Sequence, residues 1–178
     1  MAEYCLIPLT GKYGEGKFTR VSPEDYDLVV PFRWYCTHQG YVLASVSARP
    51  QLMHRFIMGN PKGMMVDHVD GDPNNNCRQN LRVCTARENS RNRKPLQGKK
   101  HKGAFLSKHM ANLGYKPWGT AVYVDGRRFH LGWFETELEA LQVYNLAAVK
   151  VMGEFARLND VPLGDVEELR KKSRLDLL

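Results

Sequence analysis

Residues 66–93 read VDHVDGDPNNNCRQNLRVCTARENSRNR, and this run constrains the fold more than any other part of the chain. An apolar run reaches about Val69 and gives way to a polar loop from Gly71 to Arg78. A second short strand, LRVC, follows. Thr85-x-x-Glu88 then forms a capping box, which marks the start of a helix. The pattern predicts two short strands joined by a polar loop and laid on a helix. The loop concentrates groups that bind protons, metals and phosphates: Asp67, His68, Asp70, Asp72 and Asn74 to Asn76.

The rest of the chain divides around this run. With 178 residues it holds one generous domain or two small ones. Residues 1–50 read as short strands and turns, with Ser22-Pro23-Glu-Asp as a helix start and WYCTHQGYVLASV as a hairpin. QLMHRFIMG reads as a short helix with Leu52, Phe56 and Met53 inward and Gly59 at its end. His54 lies among mostly apolar neighbours there and reads as structural. KPLQGKKHKG is polar, basic and broken by Pro and Gly, so residues 95–102 read as a linker between a module at 1–94 and a second at 103–160. In the second module, WGTAVYVDGRRFHLGWF is two alternating runs joined at Asp125-Gly126, a hairpin signal. Thr136 opens a helix through a capping box with Glu139, and Leu141, Tyr144, Ala148 and Val151 form its core stripe. Residues 161–178 read as a tail with a short amphipathic helix. The class is α+β.

Charge narrows the partners. From Thr85 to Lys102, Arg87, Arg91, Arg93, Lys94, Lys99, Lys100 and Lys102 face only Glu88, so this window carries +6 of the net +7. Such asymmetry points to a polyanion. No stretch reaches the roughly 18 apolar residues of a membrane span. The N-terminal residues lack a basic segment followed by an apolar one, so a cytoplasmic location is expected. The four cysteines form no CxxC pair and read as small buried side chains rather than as zinc ligands or disulfides.

Phosphodiester hydrolysis needs a base for water and a cation for the charge that develops on phosphate and leaving oxygen. His68 can accept a proton near neutral pH. Asp67 and Asn89 offer hard oxygen donors suited to magnesium or manganese. Neighbours on a regular strand point to opposite faces, so Asp67 and His68 are expected to meet only through a bulge or a bend at Gly71. Arg93, four residues beyond Asn89, would share its helix face and reads equally as a phosphate clamp or a surface arginine.

DHVDGDPNNNCRQNLRVCTARENSRN, with LMHRFIMGNPKGMMV before it, resembles the HNH (ββα-metal) motif of phage and intron homing endonucleases. The resemblance implies His68 as general base, Asp67 and Asn89 as ligands of one divalent cation, and Asn80 as the residue that ties the loop and orients the histidine. Asparagine at 89, where many relatives have histidine, favours magnesium. Residues 103–159 resemble the APETALA-type DNA-binding domain through Trp118-Gly-Thr-Ala-Val, Gly126-Arg-Arg, His130-Leu-Gly-Trp-Phe, Tyr144-Asn-Leu-Ala-Ala and Gly153-Glu-Phe-Ala-Arg-Leu-Asn. That resemblance implies a three-stranded antiparallel sheet on one helix, with the free face in the major groove. AFLSKHMANLGYKP would be its first, unusually long strand. Strand alternation places Tyr123, Arg128 and His130 on the free face, with Arg127 near the turn. Together with Lys99, Lys100 and Lys102 these are the expected DNA contacts. The expectation is a phage-encoded endonuclease, a monomer or weak dimer, that nicks duplex DNA in the bacterial host. The alternative is a DNA-binding regulator with an idle nuclease module.

Overall fold

The computed structural model describes residues 3–178, which divide into two units meeting between Asn92 and Arg93. Both units mix small sheets with helices.

The first unit opens with an antiparallel pair, β1 (Cys5–Pro8) and β2 (Phe18–Val21). Pro23 begins a 3-10 turn that runs into the one-turn helix α1 (Tyr26–Val29). Ser22 precedes this turn but caps nothing; its hydroxyl instead accepts from the Arg78 backbone N–H at 2.8 Å. The hairpin β3 (Tyr35–Cys36) and β4 (Val42–Val46) is extended by β5 (Arg49–Leu52), which the sequence pattern concealed. The β4–β5 turn puts Ser47 and Ala48 at φ 50° and 62°, without the Asn-Gly signature that normally announces such a turn. Helix α2 (Met53–Ile57) then buries Met53, His54 and Ile57, while Leu52 and Phe56 stay half-buried. Strand β6 (Met65–His68) leads into the polar loop, in which β7 (Asn75–Asn76) pairs in parallel with β2. Strand β8 (Leu81–Cys84) returns antiparallel to β6, and α3 (Ala86–Arg91) follows with its Thr85–Glu88 capping box intact. Trp34, Val21, Val29, Val42, Met53 and Val66 fill the core. The buried Trp34 indole N–H is satisfied by the Val29 carbonyl at 2.8 Å.

The second unit is a three-stranded antiparallel sheet in the order β11-β10-β9, with one long helix. Strand β9 covers only Ala104–Leu106. The expected long first strand ends there because Ser107 caps a short helix, α4 (Lys108–Asn112), by accepting from the Met110 N–H. Strands β10 (Trp118–Val124) and β11 (Arg127–Phe134) meet at the Asp125-Gly126 turn, with φ 54° and 80°. Helix α5 (Glu137–Met152), capped by Thr136 and Glu139, lays Ala140, Val143 and Ala147 against Val122, Leu131 and Phe134. Alanine at 140 and 147 lets the helix approach the sheet closely. Gly103 is obligatory for a related reason: its φ is 79°, and a Cβ there would lie 1.8 Å from the Tyr144 ring.

The segment read as a tail belongs to this unit. Helix α6 (Val166–Lys172) buries Leu169, Leu175 follows it into the same core, and the Arg174 N–H donates to the Leu131 carbonyl at 2.8 Å. Asn145 and Asn159 bind each other and close the unit on itself, since Asn159 also bonds the Lys102 N–H at 2.8 Å and the Lys102 carbonyl at 3.0 Å.

Candidate active site

Asp67 and His68 end β6, and both border a cleft that Asn89 of α3, Met65, Tyr41 and His54 also line. No bulge brings the two neighbours together. The β6–β8 register runs uninterrupted from Met65↔Cys84 to His68↔Leu81. Strand β6 has a strand partner on one side only, and four consecutive residues of it reach the cleft. The cleft therefore follows the strand's open edge, which side chains from both faces can reach.

Asp67 is held from one side. Its Oδ2 accepts from Arg82 Nη2 at 2.8 Å, Arg82 Nε at 3.1 Å and Asn92 Nδ2 at 3.0 Å. Among the described residues its hydrogen bonds fall on that oxygen and none on Oδ1. Asn92 also donates to the His68 and Val69 carbonyls, so it locks the end of β6. Asn89, on α3 three residues earlier, spends its Nδ2 on the Met65 sulfur at 3.5 Å, and no hydrogen bond to its Oδ1 is found among the described residues. No cluster of three His, Cys, Asp or Glu side chains suited to a metal exists among the described residues. Of the residues lining the cleft, Asp67 and Asn89 carry one carboxylate oxygen and one amide oxygen as candidate donors. Two hard donors of this kind fit a cation that keeps several waters and takes phosphate oxygens, as magnesium does.

His68 is 6 % exposed, and its Nε2 lies 3.3 Å from Asn76 Oδ1. Burial pushes its pKa below the ordinary imidazole value; the Asn76 bond and the nearby carboxylates of Asp70, Asp67 and Asp72 oppose that shift without reversing it. The ring is thus neutral at pH 7. His54 packs its ring against that of His68, centroids 4.8 Å apart, and Tyr41 stands 5.8 Å from His54 and 6.4 Å from His68. Burial, with His68 and Arg55 close by, lowers the His54 pKa to about 3.

The loop behind His68 is tied from several directions. Asn80 donates to Asp70 Oδ1 at 3.0 Å and to the Asn75 carbonyl at 2.8 Å, and accepts from the Asp70 N–H. It organises the loop, and no hydrogen bond joins it to His68 among the described residues. Arg20 pairs with Asp72 at 2.8 Å, and Arg78 forms a two-pronged ion pair with the buried Asp25.

A relative from Acanthamoeba polyphaga mimivirus, described as an HNH endonuclease, is 32 % identical over 154 residues, covering 83 % of this chain and 78 % of that protein. The chain belongs to the HNH endonucleases. The HNH endonuclease family model itself matches residues 58–91, which begin just after α2 and span β6, the loop, β8 and α3. A Bacillus subtilis (strain 168) protein derived from the SPbeta prophage, and named as an HNH homing endonuclease, is 30 % identical over 89 residues, 47 % of this chain and 46 % of that protein. No solved structure matches.

The remaining expected contacts of this HNH protein are dispersed. Helix α3 ends at Arg91, so Arg93 lies beyond it and the shared helix face expected with Asn89 does not form. Arg93, Lys99 and Lys100 are exposed. Lys102 is not a free surface cation: it is half-buried, its backbone is bonded to Asn159, and burial lowers its pKa. In the second unit Tyr123 is 63 % exposed, and Arg127 and Arg128 are exposed. His130 is instead packed between Phe105 and Trp133, at 6.1 and 5.1 Å, and its buried Nε2 has no hydrogen-bond partner. Arg128 lies over the Phe105 ring at 5.1 Å. Phe105 and Trp133 close over Gly119, where a Cβ would come within 2.5 Å of the Phe105 ring.

Sequence reasoning missed Asn92 and Arg82, placed Asn76 among the loop's polar groups without tying it to His68, and gave His54 no place at the cleft. Asn92 had a readable signal, since it follows Asn89 by three residues at the C-terminal cap of α3. Arg82 had one too, as the cross-strand neighbour of Asp67 once the hairpin register is known. Asn76 had none that local spacing supplies.

Proposed function

We propose that this HNH protein is a metal-dependent DNA endonuclease of the homing type that hydrolyses one phosphodiester bond of duplex DNA, with Asp67, His68 and Asn89 as its reaction centre. The observation that carries the reading is that these three residues line one cleft and that, among the described residues, no hydrogen bond reaches Asp67 Oδ1 or Asn89 Oδ1. Strands β6 and β8 with α3 would then serve as a ββα-metal module, and Asp67 Oδ1 and Asn89 Oδ1 would hold one divalent cation, magnesium by donor type. Such a cation supplies positive charge for the phosphate and leaving oxygens. His68 takes a proton from the attacking water as the new P–O bond forms. The P–O3′ bond then breaks and the 3′ oxygen gains a proton from solvent, leaving 5′-phosphate and 3′-hydroxyl ends. Arg82 and Asn92 keep the Asp67 carboxylate fixed. Asn80 holds the loop in shape.

The second unit would act as an APETALA-type DNA-binding domain, supported by its three-stranded sheet on one helix, by the exposed cross-strand pair Tyr123 and Arg128, and by the exposed Arg127 beside the turn. Double substitution of Arg127 and Arg128 by alanine is expected to weaken duplex binding at least tenfold, since each arginine contact contributes about 1–3 kcal/mol. A fluorescence-anisotropy titration at fixed salt checks this.

One site per chain makes a nick the expected product. Supercoiled plasmid incubated with the protein and magnesium should give relaxed circles, excess chelator should stop the reaction, and restored magnesium or manganese should restart it. Tight binding of duplex DNA with no cutting in either metal would establish the idle-nuclease regulator instead. A viral origin is supported by both relatives, one from a giant virus and one from a prophage.

A further inference from the structure

We propose that Asn76 is a positioning residue that fixes the His68 imidazole in its Nε2–H tautomer and so makes Nδ1 the atom that accepts the proton from water. The inference rests on the nuclease reading above and extends it to a residue that no local spacing identifies.

The argument is one of hydrogen-bond direction. The Thr19 hydroxyl donates its single proton to the Asn74 carbonyl at 2.8 Å. Toward Asn76 Nδ2, at 2.8 Å, the same oxygen can only accept. The Pro73 carbonyl, also an acceptor, lies 3.1 Å from that nitrogen. Two acceptors therefore identify this end of the Asn76 side chain as the NH2 group. The opposite end, facing His68 Nε2 at 3.3 Å, must be the carbonyl oxygen. A carbonyl oxygen cannot donate, so the neutral ring carries its proton on Nε2 and keeps its lone pair on Nδ1.

The surroundings hold this arrangement. Asn76 is fully buried, so water does not compete for its amide. Its backbone is pinned by β7, paired with β2 at Val21↔Asn76. The His54 ring, 4.8 Å away, packs against the imidazole. Among the described residues no hydrogen bond reaches His68 Nδ1, and His68 lines the cleft. When Nδ1 takes a proton, the Nε2–H bond to Asn76 persists, so no group behind the ring has to move. Asn80, expected to orient the histidine, bonds Asp70 and Asn75 instead.

The test uses the full chain, with ring 15N NMR of His68 at pH 7.5 alongside single-turnover nicking and DNA binding. Wild type should show a protonated Nε2 and an unprotonated Nδ1. Asn76→Ala should mix the two tautomers and slow cutting roughly ten- to a hundred-fold with unchanged DNA affinity. Thr19→Val, which keeps the side-chain shape and removes the hydroxyl, guards against misfolding of the first variant and should shift both readouts in the same direction. A proton on Nδ1 in wild type, or wild-type ring signals and rate in a folded Asn76→Ala, would overturn the proposal. Expected ring signals in a wild type that cuts nothing would instead sink the nuclease reading and leave the tautomer assignment standing.

Discussion

His68→Ala is expected to slow DNA nicking by roughly 10²–10⁴-fold, the contribution of a positioned general base, while leaving DNA affinity unchanged. The size of the effect follows from the lack of a substitute in the cleft. The Asp67 carboxylate already accepts from Arg82 and Asn92 and would serve the cation. Arg55 is a cation engaged with the carbonyls of Met64 and Pro61. His54 is the remaining imidazole, but with a pKa of about 3 it is too weak a base to replace its neighbour. Single-turnover nicking of a plasmid, compared with filter binding of the same duplex, separates the two readouts. A variant that cuts at the wild-type rate would remove His68 from the chemistry.

Acid is expected to unfold the first unit from the same cleft. An unfolded His54 titrates near 6.5 and the folded one at about 3, so between these values the unfolded chain binds more protons than the folded one. Stability then rises with pH across that window and is fully present above about 6.5. It is lost as pH falls toward 3. At 1.36 kcal/mol per pH unit, His54 alone removes about 2 kcal/mol of stability on going from neutral pH to pH 5. His68, its pKa also lowered by burial, adds a loss of the same sign. Urea titrations at pH 7 and pH 5 measure the difference, and His54→Phe, which keeps a ring and cannot titrate, should shrink it. Equal pH dependence in that variant would show that His54 does not carry the effect.

The parts of this molecule legible in its sequence are those set by neighbours a few residues apart. Both capping boxes, at Thr85–Glu88 and Thr136–Glu139, are present in the structure, as is the turn at Asp125-Gly126. Their signals are local hydrogen bonds and local dihedral angles. Where the local signal is weak, the reading failed: β5 follows a Ser-Ala turn that carries no glycine, and the run from Ala104 breaks at a serine cap inside what looked like one strand. Ser22 had the chemistry of a helix cap, but a backbone N–H from Arg78 claimed its oxygen.

The site was legible to the same degree. Asp67, His68, Asn80 and Asn89 stand out because they cluster within a short run of polar residues beside strong structural markers. Asn76 lies in the same run, but its tie to Thr19 does not show there, because 57 residues separate the two and the parallel β2–β7 pairing brings them together. His54 was hidden for another reason. An imidazole on an apolar helix face looks alike whether it faces a core or the wall of a cleft.

The segment that the HNH family model matches begins at residue 58, yet Thr19, Arg20, Ser22 and Asp25 brace its loop from behind. Anyone grafting the motif onto another scaffold would have to carry the N-terminal hairpin along. Excised alone, residues 58–91 would keep the reactive groups and lose the frame that aims them.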